Sequence, residues 1–142
     1  MKSRGRSTEE AFERYLHGLK EEPLTLILFG SRARGEQTAL SDYDLLVIRR
    51  RGTTCSAYKN FDPRLNISVF EVWLDELEPA AYWNSIVLSA LLEGQVVLDN
   101  LGVEEELRRL RERLMREGAC ISKKGVRFPR RPAEGLVMPP PP

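Results

Sequence analysis

Two short apolar runs constrain this chain more than any other feature. The first, Leu24 to Phe29, stops at Gly30-Ser31, and the second, Leu45 to Ile48, starts just after Asp42-Tyr43-Asp44. Each run is short, apolar and bounded by turn or polar residues, so each reads as a buried strand. The link between them is polar and carries Arg32, Arg34 and Gly35. The two places where chemistry can sit, Gly30-Ser31 and the aspartate pair, therefore fall at strand ends.

Glycine at the end of a buried strand permits an unusual φ and a close backbone approach, and free N–H groups at a helix start attract phosphate. Arg32 and Arg34 add fixed positive charge beside that point. Asp42 and Asp44 are two residues apart, so on a strand both carboxylates project from one face and Tyr43 from the other. Two like charges held so close raise one pKa unless a cation neutralises them. A hard divalent cation such as Mg²⁺ is the natural partner, and it takes substrate phosphates as further ligands. Either dipeptide alone is weak evidence. The combination is far more specific: strand, Gly-Ser, ten positions (32 to 41), Asp-x-Asp, strand.

That combination resembles the minimal nucleotidyltransferases of the DNA polymerase β superfamily. The matching residues are Leu28-Phe29-Gly30-Ser31, Ala33, Gly35 and Ser41-Asp42-Tyr43-Asp44-Leu45-Leu46-Val47, with a looser match through a third strand and Glu93 to Leu98. The resemblance covers roughly residues 8 to 100. It implies an α+β fold of the polymerase β type, a small mixed sheet flanked by helices. It implies phosphate binding by Gly30 and Ser31, with Arg32 or Arg34 as a transition-state stabiliser, and Mg²⁺ (or Mn²⁺) held by catalytic Asp42 and Asp44. The implied reaction moves a nucleoside monophosphate from an NTP, ATP being the first expectation, to an acceptor.

The family also uses a third carboxylate, on a following strand, as metal ligand and base. Here that strand reads Leu65-Asn66-Ile67-Ser68-Val69-Phe70-Glu71-Val72-Trp73. The best match puts Ser68 at the acidic position, with Asn66 as the other choice; Glu71 is the only acid within the run and lies on the opposite face unless a bulge intervenes. Ser68 or Asn66 offers a neutral oxygen to a metal, but neither serves as a carboxylate base. The second reading is therefore a degenerate module that binds nucleotide or partner without chemistry. By resemblance, small transferases of this kind often act as the antitoxin of a toxin–antitoxin pair, adenylylating a HEPN-type helical partner. A homodimer is the other way to hold an acceptor.

The chain of 142 residues carries a formal net charge of +1, which argues against whole-molecule attraction to nucleic acid. A third reading, nucleic-acid binding through Arg49 to Arg51 and a basic tail, rests on those local charges alone. No apolar stretch follows the basic start, no run is long enough to span a membrane, and the expectation is a cytoplasmic protein. Cys55 and Cys120 lack metal-site spacing and read as free thiols. His17 falls on a polar stretch of the first helix and reads as solvated.

One domain is expected over residues 1–118, a core of about 8–100 plus a helix at 103–117. Ser7 and Glu10 suggest a capping box for the first helix, with Ala11, Phe12, Tyr15, Leu16 and Leu19 as its apolar face. Another helix is expected from Glu78 to about Glu93, capped by Gly94, and a short fourth strand from Gln95 to Leu98. Val103, Leu107, Leu110 and Leu114 form a narrow stripe on the last helix, to be packed on its own domain or docked on a partner helix. Residues 119–142, basic and proline-rich, read as an extended tail, with Val126, Phe128, Leu136 and Val137 hinting at some packing.

Overall fold

A computed structural model describes residues 4–30 and 43–130 of the chain. Four strands form one mixed sheet: β1 (Leu24–Phe29), β2 (Tyr43–Arg49), β3 (Ile67–Trp73) and β4 (Gln95–Asp99), in the order β3-β2-β1-β4. β1 runs antiparallel to β2 and to β4, whereas β2 and β3 are parallel. The expected α+β architecture, a small mixed sheet between helices, is present.

Strand alternation divides the core in two. On one face Leu24, Leu26, Leu28, Leu45 and Val47 pack with Phe12, Tyr15 and Leu19 of α1 (Arg4–His17) and its C-terminal turn. On the other, Ile27, Phe29, Leu46 and Ile48 meet α3 (Ser85–Glu93) and α4 (Glu104–Arg116). β1 is buried along its whole length, which explains its unbroken apolar run. The stripe Val103, Leu107, Leu110 and Leu114 is part of this second cluster, with Leu114 fully buried. The last helix thus spends its apolar face on its own domain.

Several local expectations are corrected. The first helix starts at Arg4, so Ser7 lies within it rather than capping it. The helix expected from Glu78 to Glu93 is two: α2 (Leu77–Ala80), then a turn, then α3. Asn84 causes the break, because its side-chain carbonyl accepts the Ile86 and Val87 N–H groups at 2.9 and 3.3 Å and starts a new helix. Residues 119–130 are not an extended tail: β5 (Cys120–Ser122) and β6 (Gly125–Arg127) form a hairpin, and Ile121, Val126 and Phe128 pack on the α3–α4 side. Tyr58, in a loop with no readable role, is fully buried; its carbonyl accepts the Tyr15 hydroxyl at 2.6 Å.

Asp99 ties three elements together. Its carboxylate accepts the Thr25 hydroxyl of β1 at 2.8 Å and the Val103 and Glu104 N–H groups at the start of α4 at 2.9 and 3.0 Å. Burial pushes this carboxyl up, but those donors together with Gly102 N–H outweigh it and hold the group below its ordinary value. Gly94 ends α3 with φ of −80°, not in a left-handed conformation. It is glycine for space: a Cβ there would lie 2.4 Å from both the Ala90 carbonyl oxygen and Ile27 Cγ2.

No helix among the described residues is long and apolar enough to cross a membrane.

Candidate active site

The sheet register assembles the site. β1 ends where β2 begins, with Phe29 opposite Asp44. The next residue, Gly30, has φ of +84°, in the region that side chains avoid. A Cβ on Gly30 would lie 2.4 Å from Asp44 Oδ2 and 3.3 Å from its Cγ. Glycine is thus required twice, by the turn and by the carboxylate that rests against it. Both residues are half-buried, so the carboxylate sits at the rim of the sheet rather than within the core.

Parallel β3 brings a third strand start to the same end. Ser68 is the register partner of Asp44 and, by strand parity, shares its face. Glu71 pairs with Val47, on the opposite face and about 10 Å further along the strand. The continuous register from Tyr43–Ile67 to Arg49–Trp73 contains no bulge that would bring Glu71 round. Asn66 shares the Ser68 face one step earlier, where its carbonyl accepts the Tyr43 N–H at 2.8 Å. The register therefore puts a hydroxyl, not a carboxylate, beside Asp44.

Ser31, Arg32, Arg34 and Asp42 lie outside the described residues. Among the described residues no three His, Cys, Asp or Glu side chains cluster as a metal site. What is present fits a hard divalent cation in kind: an aspartate oxygen at a strand end and a hydroxyl at the adjoining strand position, both oxygen donors.

The arginine run after β2 is largely committed elsewhere. Arg49 donates to the Cys55 and Thr53 carbonyls at 3.0 Å and to the Tyr58 hydroxyl at 3.1 Å, and its guanidinium lies 5.1 Å from the Trp73 ring centre. Arg51 pairs with Asp75 at 2.8 Å and with Glu76. Arg50 is exposed, with no side-chain ion pair or hydrogen bond among the described residues, and the run sits at the sheet end opposite Asp44. Cys55, half-buried, donates to Glu22 Oε1 at 3.2 Å; burial and that carboxylate push its thiol up, away from a reactive thiolate.

The site thus joins a glycine turn closing one strand, an aspartate opening the next and a parallel third strand beside them in an α+β domain. The family model for "Polymerase beta, Nucleotidyltransferase" matches residues 13–100, more than half of the chain. The chain belongs to this nucleotidyltransferase family, whose members generally use divalent metal ions. No curated protein matches the sequence.

Proposed function

We propose that the chain is a Mg²⁺-dependent nucleotidyltransferase that moves the nucleoside monophosphate of ATP to a hydroxyl of a protein acceptor. The observation that carries this reading is the fit of Gly30 against Asp44 at the adjoining ends of β1 and β2. Gly30 lets the backbone approach the triphosphate, Ser31 donates to phosphate oxygens, and Arg32 or Arg34 balances the charge there. Asp42 and Asp44 would hold the divalent cations, which would supply neutralising charge to the phosphates. The acceptor hydroxyl gives its proton to solvent as its oxygen bonds the α-phosphorus, the bond to the bridging oxygen of pyrophosphate breaks, and pyrophosphate leaves. A HEPN-type helical protein, as in an adenylylating antitoxin, is the first acceptor to try; because the α4 stripe is already buried, it would dock elsewhere.

Ser68 beside Asp44 favours one further reading, a module that binds nucleotide and metal but transfers slowly or not at all. A neutral hydroxyl helps to coordinate but does not take the acceptor's proton. Calorimetric titration of ATP with Mg²⁺, beside Asp44→Asn, tests the shared core of both readings. Binding that needs metal and Asp44 supports the site, and its absence refutes both. Transfer of α-labelled nucleotide to protein, lost in Asp44→Asn, then separates enzyme from binding module.

A further inference from the structure

Among the described residues β3 is an edge of the sheet, and its backbone is arranged to pair with itself. The Tyr43 N–H donates to the Asn66 carbonyl, which fixes the phase of the parallel ladder. Ser68, Phe70 and Val72 then turn their N–H and C=O groups inward to β2. Ile67, Val69 and Glu71 turn both groups outward, and Trp73 turns its N–H outward. None of these outward groups has a hydrogen-bond partner among the described residues. Long, apolar free edges are normally blunted by proline, bulges or several charges. This one has seven residues, an unbroken register and a single charge, Glu71.

We propose that two copies of this chain join antiparallel along β3, making one continuous eight-stranded sheet about a two-fold axis at Phe70. The phase of the ladder requires an axis that passes through a residue, and Phe70, the middle of the seven, pairs the strand over its whole length. An axis at Phe70 sets Val69 against Glu71 of the second copy and Ile67 against its Trp73, so outward groups meet outward groups. It also keeps Glu71 away from its own copy, whereas an axis at Glu71 would oppose two carboxylates. On the α3–α4 face the Phe70 rings meet across the axis, extending the Phe29–Phe70 contact of 5.8 Å within each copy.

A second feature fits the same occupant. Trp83 is 70% exposed, more than any other large apolar side chain among the described residues; Met115 follows at 52%. It walls a cleft of about 310 Å³ with Val72, Trp73, Asn84 and Val87, opening beside the outer half of β3. A strand added to β3 covers that cleft. The opposite edge, β4, has five residues and a register irregularity against β1, so it does not invite further growth and the assembly closes at two.

Sedimentation equilibrium of the full chain tests this, with amide hydrogen exchange at Val69 and Glu71. The expected result is a species of twice the 16.3 kDa chain mass, with both amides protected as the dimer forms. Glu71→Pro removes an outward N–H but no bond to β2. It is expected to weaken dimerisation at least tenfold while far-UV circular dichroism stays unchanged. A monomer at all accessible concentrations, or a dimer indifferent to Glu71→Pro, overturns the proposal. Should Glu71→Pro unfold the chain, rapid exchange of the two amides in a wild-type dimer overturns it, and their protection supports it.

Discussion

Replacing Gly30 by alanine separates a glycine needed for its turn from one needed for the carboxylate beside it. The φ of +84° puts a side chain in the left-handed region, at a cost of about 1–2 kcal/mol. The added Cβ also meets Asp44 Oδ2 at 2.4 Å and Cγ at 3.3 Å, whereas the Asp44 Cβ is at an ordinary 3.6 Å. The carboxylate must therefore rotate away, which costs about 0.5–1.5 kcal/mol for an off-rotamer side chain. In an Asp44→Ala background only the Cβ contact remains, and Gly30→Ala should cost the backbone strain alone. The cycle thus predicts a coupling of about 1 kcal/mol between the two positions, measured by urea unfolding of the four proteins. At roughly 3–4 °C per kcal/mol for a chain of this size, thermal melts should show the same ordering. ATP titration with Mg²⁺ should show at least a tenfold loss of affinity for Gly30→Ala alone. Equal destabilisation in both backgrounds would mean that Asp44 does not rest against Gly30. Wild-type ATP affinity in Gly30→Ala would mean that this carboxylate position is not where the nucleotide is bound.

Ser68→Asp should raise nucleotide transfer at least tenfold, because it puts a carboxylate in register with Asp44; the corresponding Val47-side change, Glu71→Gln, should leave transfer within twofold when both are assayed with labelled ATP. Gly94→Ala should destabilise the fold by about 1–3 kcal/mol in urea, because the new methyl would meet the Ala90 carbonyl and Ile27 at 2.4 Å. Asp99→Asn should cost about 1 kcal/mol at neutral pH, because the amide keeps one acceptor but sets its NH₂ against the Glu104 N–H. Because the folded Asp99 carboxyl lies below its ordinary 3.8, its contribution is fully present above that value and fades as pH falls through the lower folded one. Urea midpoints of wild type and Asp99→Asn should therefore converge as pH falls below that folded value. Leu114→Ala, at a fully buried position of α4, should cost about 2–5 kcal/mol in the same assay.

Much of the sheet was legible because burial on both faces leaves a local mark. Leu24 to Phe29 and Leu45 to Ile48 are apolar without interruption, and Gly30 and Asp44 stand at their ends. The α4 stripe was equally visible, although its partner was not: periodicity names a buried face without saying what covers it. What escaped reading depends on contacts distant in sequence. Tyr58 is buried because Tyr15 and Arg49 converge on it from elements 43 and 9 residues away. Asp99 caps α4 from the end of β4, outside the usual capping position. Asn84 was read as a residue within a helix, although its type favours a helix start. The hairpin at Cys120–Arg127 is too short for alternation to stand out, and only its packing under α3 and α4 makes it a sheet. For the site, the same limit fell on β3: a slip of one residue exchanges the faces of Ser68 and Glu71, and register, not composition, places Ser68 beside Asp44.

On the proposed function, the two ends of the sheet divide stability from chemistry. At the far end, polar side chains are committed to the fold: Thr25 to Asp99, and Arg49 to the Cys55 and Thr53 carbonyls and Tyr58. Changing any of these leaves a buried group without its partner, so the effect belongs in an unfolding curve. At the near end the governing element is a glycine whose missing side chain leaves room for a carboxylate. A turn alone would need only the conformation; the 2.4 Å approach of Asp44 needs the space as well. The order of pairing makes this arrangement economical. An antiparallel turn from β1 to β2 brings one strand end to another strand start, and a parallel crossover to β3 adds a second start at the same edge. Three backbone termini and their side chains thus meet at one rim by register alone. Substitutions there should alter nucleotide binding in disproportion to stability, and substitutions at the opposite rim should do the reverse.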